Sequence, residues 1–380
     1  MDTINLFCEN TSHYIKCAPG TSLLELASQV QHNCKYTPLA AIVDNTLKEL
    51  TYKVYTSHTV KFIDFTHPDG RRTYIRSLSF LIQKSVADLF PDCNLRFKYT
   101  LPNGLYGEFE ERDMTIEDIV KIKERMLHYI KLNLPFEKRK LPKDEAVSLF
   151  RANRAEAKAA LAEGTGKFFI TTYFLDGYAD TFYGPLLTTT GCIDLFDIVP
   201  YDKGFCLQSP SSSQPWKVAD YKYQDKLSNV FREHSNWNRL IGVDGLARVN
   251  KGIEVGKSKT IIQIAEALHE RKYAEIANMI YRRRDKVKLV LIAGPSSSGK
   301  TTTSKRIALQ CMTLGLNPLI IEMDNYFVNR DQTPRDENGD YDFESLQAMD
   351  LHFLNTQLNE IFSGKEVELP KFDFVKGERT

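Results

Sequence analysis

The sharpest hydrophobic pattern in the chain is short. Lys286-Val-Lys-Leu-Val-Leu-Ile-Ala293 is apolar and rich in β-branched residues, with basic residues before it and a glycine after it. Such a run predicts a strand buried on both faces, as in a parallel sheet. Past Thr301 the spacing becomes helical through Ile307, Ala308, Leu309 and Cys311, and Pro318–Met323 predicts a second buried strand. Upstream, Tyr74–Phe90 sets Ile75, Leu78, Leu81, Ile82, Val86 and Leu89 on one side of an amphipathic helix. Phe168–Leu175 reads as a strand. Residues 226–285 read mainly as helix, with a stripe of Ile261, Ile262, Ile264, Ala265 and Leu268.

The first 65 residues predict a small β-grasp unit. Thr3–Cys8 and Tyr14–Cys17 alternate like a hairpin around Asn10-Thr-Ser12. Ser22 and Glu25 form a capping box ahead of Leu23, Leu24, Leu26 and Ala27. Ala40–Val43, the turn Asp44-Asn45, Leu47–Val54 and Thr59–Phe65 complete it. Residues 66–225 predict a second α+β domain. Its signals include an Asn103-Gly104 hairpin within Leu101–Glu110, a helix capped by Thr115 and Asp118, and another starting at Pro142. The stretch Ser209-Pro-Ser-Ser-Ser-Gln-Pro215 reads as a loop.

Composition narrows the picture modestly. The chain has 380 residues, room for two or three domains, and a formal net charge of +1. That balance calls for neither nucleic acid nor a membrane surface. Seven cysteines are scattered without C-x-x-C spacing, and no signal peptide or long apolar span is evident, so reduced thiols and a cytoplasmic location are expected. No histidine has metal-ligand spacing with a second ligand. The chain stops at Thr380, soon after a strand, so a C-terminally truncated last domain is the expectation.

Between the first strand and its helix lies Gly294-Pro-Ser-Ser-Ser-Gly-Lys-Thr301, which fits G-x-x-x-x-G-K-[ST]. Gly294 and Gly299 let successive backbone N–H groups point at one anion, and the helix N-terminus adds its positive end. Gly294, Pro295, Ser296, Ser297, Ser298, Gly299, Lys300, Thr301 and Thr302 are therefore the candidate ATP-binding residues. Lys300 would reach the β- and γ-phosphates, and Thr301 would hold Mg²⁺. The second strand delivers Asp324 at its C-terminal end, where ligands bind in open α/β sheets. A carboxylate there can take the proton of an attacking hydroxyl.

From Val287 to Arg379 these motifs resemble the uridine kinase / phosphoribulokinase family. Asp324-Asn-Tyr-Phe327 stands for the family's D-x-F-Y, whose Asp is the catalytic base. Tyr341-Asp342-Phe343 stands for its ribose-holding motif, and Pro370-Lys-Phe-Asp-Phe-Val-Lys-Gly-Glu-Arg379 for P-x-Y-D-F-x-x-H-x-R. The resemblance implies Asp324 and Lys300 in catalysis, and Asp324, Tyr326, Phe327, Asp342, Phe372, Phe374 and Arg379 around the acceptor. Gly377 replaces the pyrimidine-reading His, and Phe327 the terminal Tyr, which leaves the base open. ATP- and Mg²⁺-dependent transfer to a nucleoside hydroxyl is the implied activity. A sugar-phosphate kinase and an RNA-binding nucleotide switch are the alternatives, and a homo-oligomer is compatible with either.

The N-terminal half resembles threonyl-tRNA synthetases. Residues 38–50 are similar to the TGS domain. Gly104–Phe109, Thr115–Ile119 and Asp180-Thr-Phe-Tyr-Gly-Pro185 are similar to the editing domain that follows it. The family's H-x-x-x-H is here Arg76 and Phe80, and the Cys and His of D-x-C-x-G-P-H are Phe182 and Leu186. The resemblance implies an editing-like fold without its chemistry. The expected architecture is thus multidomain α/β and α+β: a TGS-like β-grasp (1–65), an editing-like α+β domain with its pocket residues lost (66–225), a helical connector (226–285) and the N-terminal part of a P-loop kinase domain (286–380).

Overall fold

The computed structural model describes residues 3–30, 35–102, 104–218, 223–337 and 339–379. Asn103 of the expected hairpin signal, Cys34 and the terminal Thr380 lie outside them. The chain forms two compact units, residues 1–255 and 256–380.

The first unit begins with β1 (Ile4–Cys8), β2 (His13–Cys17), β3 (Thr21–Ser22), α1 (Leu23–Val30), β4 (Ala40–Val43), β5 (Thr46–Lys48), β6 (Lys53–Val54) and β7 (Thr59–Ile63). Five strands make a sheet in the order β2-β1-β7-β4-β5, with β1 parallel to β7 and the other pairs antiparallel. The β4–β5 connection is a two-residue turn in which Asp44 and Asn45 both take positive φ, 44° and 62°. That backbone matches the twist of a hairpin, and these short polar residues tolerate it. Leu6, Cys8, Leu23, Leu26, Val43, Val60 and Phe62 close the core between sheet and helix.

A larger α+β body follows. Its elements are α2 (Pro68–Leu89), β8 (Leu95–Leu101), β9 (Gly104–Phe109), α3 (Ile116–Leu132), β10 (Glu137–Pro142), α4 (Lys143–Ala152), α5 (Glu156–Glu163), β11 (Phe169–Leu175), β12 (Tyr178–Asp180), β13 (Asp197–Tyr201) and β14 (Gly204–Gln208). Two sheets form, β13-β14-β9-β8 and β10-β11-β12. Helix α2 is central, with Leu78, Phe80, Leu81 and Ile82 fully buried. It begins six residues before the expected Tyr74. His67 caps it, its Nδ1 accepting from Asp69 N–H at 3.1 Å, and Pro68 occupies the first turn, where its missing donor costs nothing. Helix α3 starts with the expected capping box: Thr115 and Asp118 exchange side-chain and backbone hydrogen bonds at 3.1 and 2.8 Å.

The expected connector 226–285 divides between the two units. Helices α6 (Asp225–Leu240) and α7 (Leu246–Glu254) belong to the first. The Phe231 ring of α6 stacks on Tyr99 at 4.2 Å, and Arg232 makes a bidentate bond to Asp202 at 3.0 and 2.6 Å. Helix α8 (Ser258–Arg282) belongs to the second unit and packs on α9 (Lys300–Thr313). Ala277, Ile307 and Cys311 form that core, with Ile276, Ile280 and Ile292 against it. Helix α10 (Leu351–Phe362) and a hairpin of β15 (Phe372–Asp373) and β16 (Glu378–Arg379) follow.

One expectation fails here. Residues 286–293 and 318–323 were to be buried parallel strands, yet among the described residues neither run joins a ladder. Leu289, Val290, Leu291 and Leu319 are exposed. Burial of a strand comes from neighbours on both sides, and no described segment supplies them. The second unit therefore shows α/β order of elements without a formed parallel sheet. No described helix is long and apolar enough to cross a membrane.

Candidate active site

The loop from Gly294 to Gly299 ends as the N-cap of α9. Gly299 sits in the left-handed region at φ 87°, a conformation that strains any residue with a Cβ. Ser297 also takes positive φ, 57°. A Cβ on Gly294 would lie 2.7 Å from Ser298 Oγ, so a larger residue there would have to turn that hydroxyl aside. Half-buried Lys300 folds back over the loop, donating to the carbonyls of Gly294 at 3.0 Å and Pro295 at 3.1 Å. Thr301 and Thr302 are exposed in the first helical turn. A bare cradle, a helix N-terminus, an ammonium and a hydroxyl are the donor set that a Mg²⁺-bound triphosphate requires, so the residues fit that group.

The acceptor-side residues fall into two sets. Asp324 is exposed on a 3-10 turn, Met323–Tyr326. Its neighbour Tyr326 turns inward instead. That side chain is 1% exposed, its hydroxyl donates to Gln357 Oε1 at 2.7 Å, and burial pushes its pKa up. Tyr326 thus anchors the turn to α10, and with Lys305, Glu322, Asn325 and Pro370 it borders a cavity of about 250 Å³. Phe327 meets Phe343 and Phe372 edge-on at 6.1 and 5.8 Å, and Phe372 meets Phe374 at 5.1 Å. Phe372 is buried, while Phe374 presents its ring to solvent. Asp342 Oδ1 accepts from Glu344 and Ser345 N–H at 3.1 Å each, which fixes its carboxylate. Arg379 is committed to Asp350, NH2 to Oδ2 at 3.0 Å, and lies 4.6 Å from the Phe353 ring centre. The N–H of Phe353, then Arg379, hold the Asp350 carboxyl below its usual range. No hydrogen bond or ion pair among the described residues links Lys300 or Thr301 to Asp324, Asp342 or Arg379.

Gly377, where the family pattern has His, is a backbone requirement. It takes φ +77°, and a Cβ there would come 2.8 Å from Arg330 Cβ and Nε. Its carbonyl accepts from Arg330 N–H at 2.8 Å, while Arg330 NH2 donates to the Phe374 carbonyl at 2.7 Å.

In the first unit, the four positions marked by the editing-domain resemblance are packed. Phe80 is fully buried, edge-on to Phe182 at 5.2 Å and beside Phe136 at 5.8 Å. Leu186 is 1% exposed. Arg76 lies across Gly184, with Nε donating to the Pro185 carbonyl at 3.1 Å and NH2 to Thr73 Oγ1 at 3.2 Å. Beneath them buried Asp180 pairs with Lys158 at 2.5 Å; burial still raises its pKa.

Strand-free or not, the order loop, helix and acidic turn matches a known pattern. Residues 289–380 match the phosphoribulokinase / uridine kinase family. The N-terminal region is similar instead to threonine–tRNA ligases. Identity is 26% over 182 residues to that of Acetivibrio thermocellus, spanning 47% of this chain and 29% of the ligase. It is 27% over 179 residues to that of Fusobacterium nucleatum, 46% and 29% of the two chains, and 28% over 176 residues to that of Chlorobaculum tepidum, 45% and 27%. The chain thus covers under a third of the length of these ligases.

Three residues of the kinase-like unit escaped the sequence reading. Asp350 caps α10 through Phe353 N–H at 3.0 Å as well as holding Arg379. Its place before Leu351 was a visible helix-start signal. Gln357 and Arg330 gave none, because their partners lie 31 and 44 residues away in sequence.

Proposed function

We propose that the chain acts as a kinase that transfers a phosphoryl group from ATP to a hydroxyl of a nucleoside. The observation that carries the reading is the bare loop closing on Lys300 at the start of α9, within a region that matches a kinase family. Bound Mg²⁺–ATP would supply the phosphoryl group and neutralise its charge. Backbone N–H groups of 294–299 and Lys300 would hold the phosphates, and Thr301 the metal. Asp324, exposed on its turn, would orient the acceptor hydroxyl and take its proton. Asp342, held by two backbone donors, suits a sugar diol. The exposed Phe374 ring offers the base a stacking face, which favours a nucleoside over a sugar phosphate. Phe327 and Phe372 back that ring, and Arg379 acts through Asp350. With Gly377 fixed by its backbone, base preference is set by other groups.

The first unit supports a TGS-like and an editing-like domain whose pocket has become core. Phe80, Phe182 and Leu186 fill it, and Arg76 bars it, so it acts as scaffold. The decisive experiment measures ADP release by the full-length protein against a panel of nucleosides and sugar phosphates, with Asp324→Asn alongside. Nucleoside-stimulated turnover, lost in Asp324→Asn with ATP binding kept, supports the reading. Turnover stimulated by no acceptor refutes it.

A further inference from the structure

Gly377 has no side chain with which to touch a nucleobase, and the space in front of it is already taken by Arg330. A Cβ on Gly377 would come 2.8 Å from Arg330 Cβ and Nε and 2.9 Å from its Cζ, so the arginine stem and guanidinium lie directly against this glycine. Arg330 opens the 3-10 turn Arg330–Gln332, on the same stretch of chain as Asp324. Three hydrogen bonds brace that stretch against the β15–β16 hairpin. Phe372 N–H donates to Asn325 Oδ1 at 3.1 Å, Arg379 N–H to Asn329 Oδ1 at 3.1 Å, and Arg330 N–H to the Gly377 carbonyl at 2.8 Å. Asp324, Arg330 and Phe374 therefore belong to one braced substructure.

The guanidinium also sits at the root of the stacking ring. Its NH2 donates to the Phe374 carbonyl at 2.7 Å, and the Phe374 ring is 57% exposed. That bond uses one of the five protons that a guanidinium carries. Among the described residues Arg330 makes no ion pair and no other side-chain hydrogen bond. The second NH2 proton and those of NH1 leave a two-donor edge with no acceptor of its own.

An edge made only of donors discriminates among bases. Guanine and hypoxanthine set two acceptors, O6 and N7, side by side on the edge away from the sugar, which is the pattern an arginine fork reads. Adenine puts an amino donor beside N7, and uracil puts N3–H between its two carbonyls, so each would face a donor with a donor. Cytosine pairs the acceptors O2 and N3, but O2 lies next to the glycosidic bond, on the sugar's side of the ring. A purine also covers more of an exposed phenyl face than a pyrimidine does. We infer that the acceptor is a 6-oxopurine nucleoside, guanosine or inosine, its base stacked on Phe374 and its O6–N7 edge read by Arg330.

This inference rests on the kinase reading and deepens it, and the test separates the two. ADP release by the full-length protein is measured against guanosine, inosine, 7-deazaguanosine, adenosine, cytidine, uridine and ribose 5-phosphate. Guanosine and inosine are expected to give the highest kcat/KM, with 7-deazaguanosine, which lacks the N7 acceptor, weaker by about tenfold or more. Arg330→Lys keeps the charge and a donor for the Phe374 carbonyl but loses the fork. It should raise the KM for guanosine by about tenfold or more, leave kcat nearly unchanged, and erase the preference over 7-deazaguanosine. A general loosening of the hairpin would instead weaken every acceptor alike. Cytidine, uridine or ribose 5-phosphate as the best acceptor would overturn the inference and leave a kinase standing, as would equal use of guanosine and 7-deazaguanosine by the unaltered protein. Should no acceptor drive turnover, the kinase reading fails. Calorimetric titration with guanosine then decides the role of Arg330: binding that weakens in Arg330→Lys supports it, and no binding at millimolar concentration overturns it too.

Discussion

Phe80→Ala tests whether the editing-like pocket is truly core. Phe80 is fully buried on α2, with its ring against Phe136, Tyr178 and Phe182 at 5.8, 6.0 and 5.2 Å. Removing the ring forfeits a transfer term of about 2 kcal/mol. It also leaves a void of about 100 Å³, which at about 24 cal/mol per Å³ adds roughly 2 kcal/mol if the walls stay put. The total, about 4 kcal/mol, is a large share of the roughly 5–15 kcal/mol that holds a domain folded. Phe80→His, which restores the resembling family's residue, should also destabilise. It places an imidazole where the surrounding side chains are aromatic rings, and an unmet buried donor costs about 1–3 kcal/mol. Urea unfolding of the full-length protein, followed by far-UV circular dichroism and tyrosine fluorescence, reads both. A loss below about 1 kcal/mol for Phe80→Ala would mean that the ring fills no constrained space, and the argument for a sealed pocket would fall.

Other consequences can be measured directly. Lys300→Met should cut nucleoside-stimulated turnover by about a hundredfold or more while leaving the melting temperature in place, since among the described residues Lys300 bonds only to loop carbonyls; unchanged turnover would remove Lys300 from the site. Gly377→His should loosen the β15–β16 hairpin by about 1–2 kcal/mol, because of its φ of +77° and the Arg330 contact, without creating a preference for uridine; enhanced uridine turnover in that variant contradicts this. Arg112 beside Asp118, with the cap donor Thr115, holds the Asp118 carboxyl down at about 2. Its folded value lies below the unfolded one, so its stabilisation is complete above about pH 4 and fades as pH falls toward 2. Asp118→Asn should lose about 1–2 kcal/mol at neutral pH and flatten the acid limb of the stability curve; parallel acid limbs for both proteins would refute the coupling.

Local chemistry was the most legible part of this sequence. The Thr115–Asp118 cap, the Asp44-Asn45 turn and the P-loop each lie within a few residues, so pattern and structure coincide. The apolar runs 286–293 and 318–323 were also plain, yet periodicity reports the wish for burial and cannot supply the neighbour that grants it. The exchange of editing-type residues for Arg76 and Phe80 could be read as a loss. That Arg76 would bridge to Pro185, more than a hundred residues on, could not. Tyr326 shows the reverse limit: an aromatic residue in an acceptor motif can face inward, because the side of a short turn is set by a distant partner such as Gln357. The contact of Arg330 with Gly377 was invisible for the same reason, being made between a turn and a hairpin far apart in sequence.

The uncovered runs in the second unit bear on how residues 256–380 behave in solution. Leu289, Val290, Leu291 and Leu319 stand exposed in runs that pair with no described strand. Such edges readily pair with one another between molecules. Residues 256–380 produced alone should therefore be poorly soluble and self-associating, whereas 1–255, with its sheet faces packed, should stay in solution.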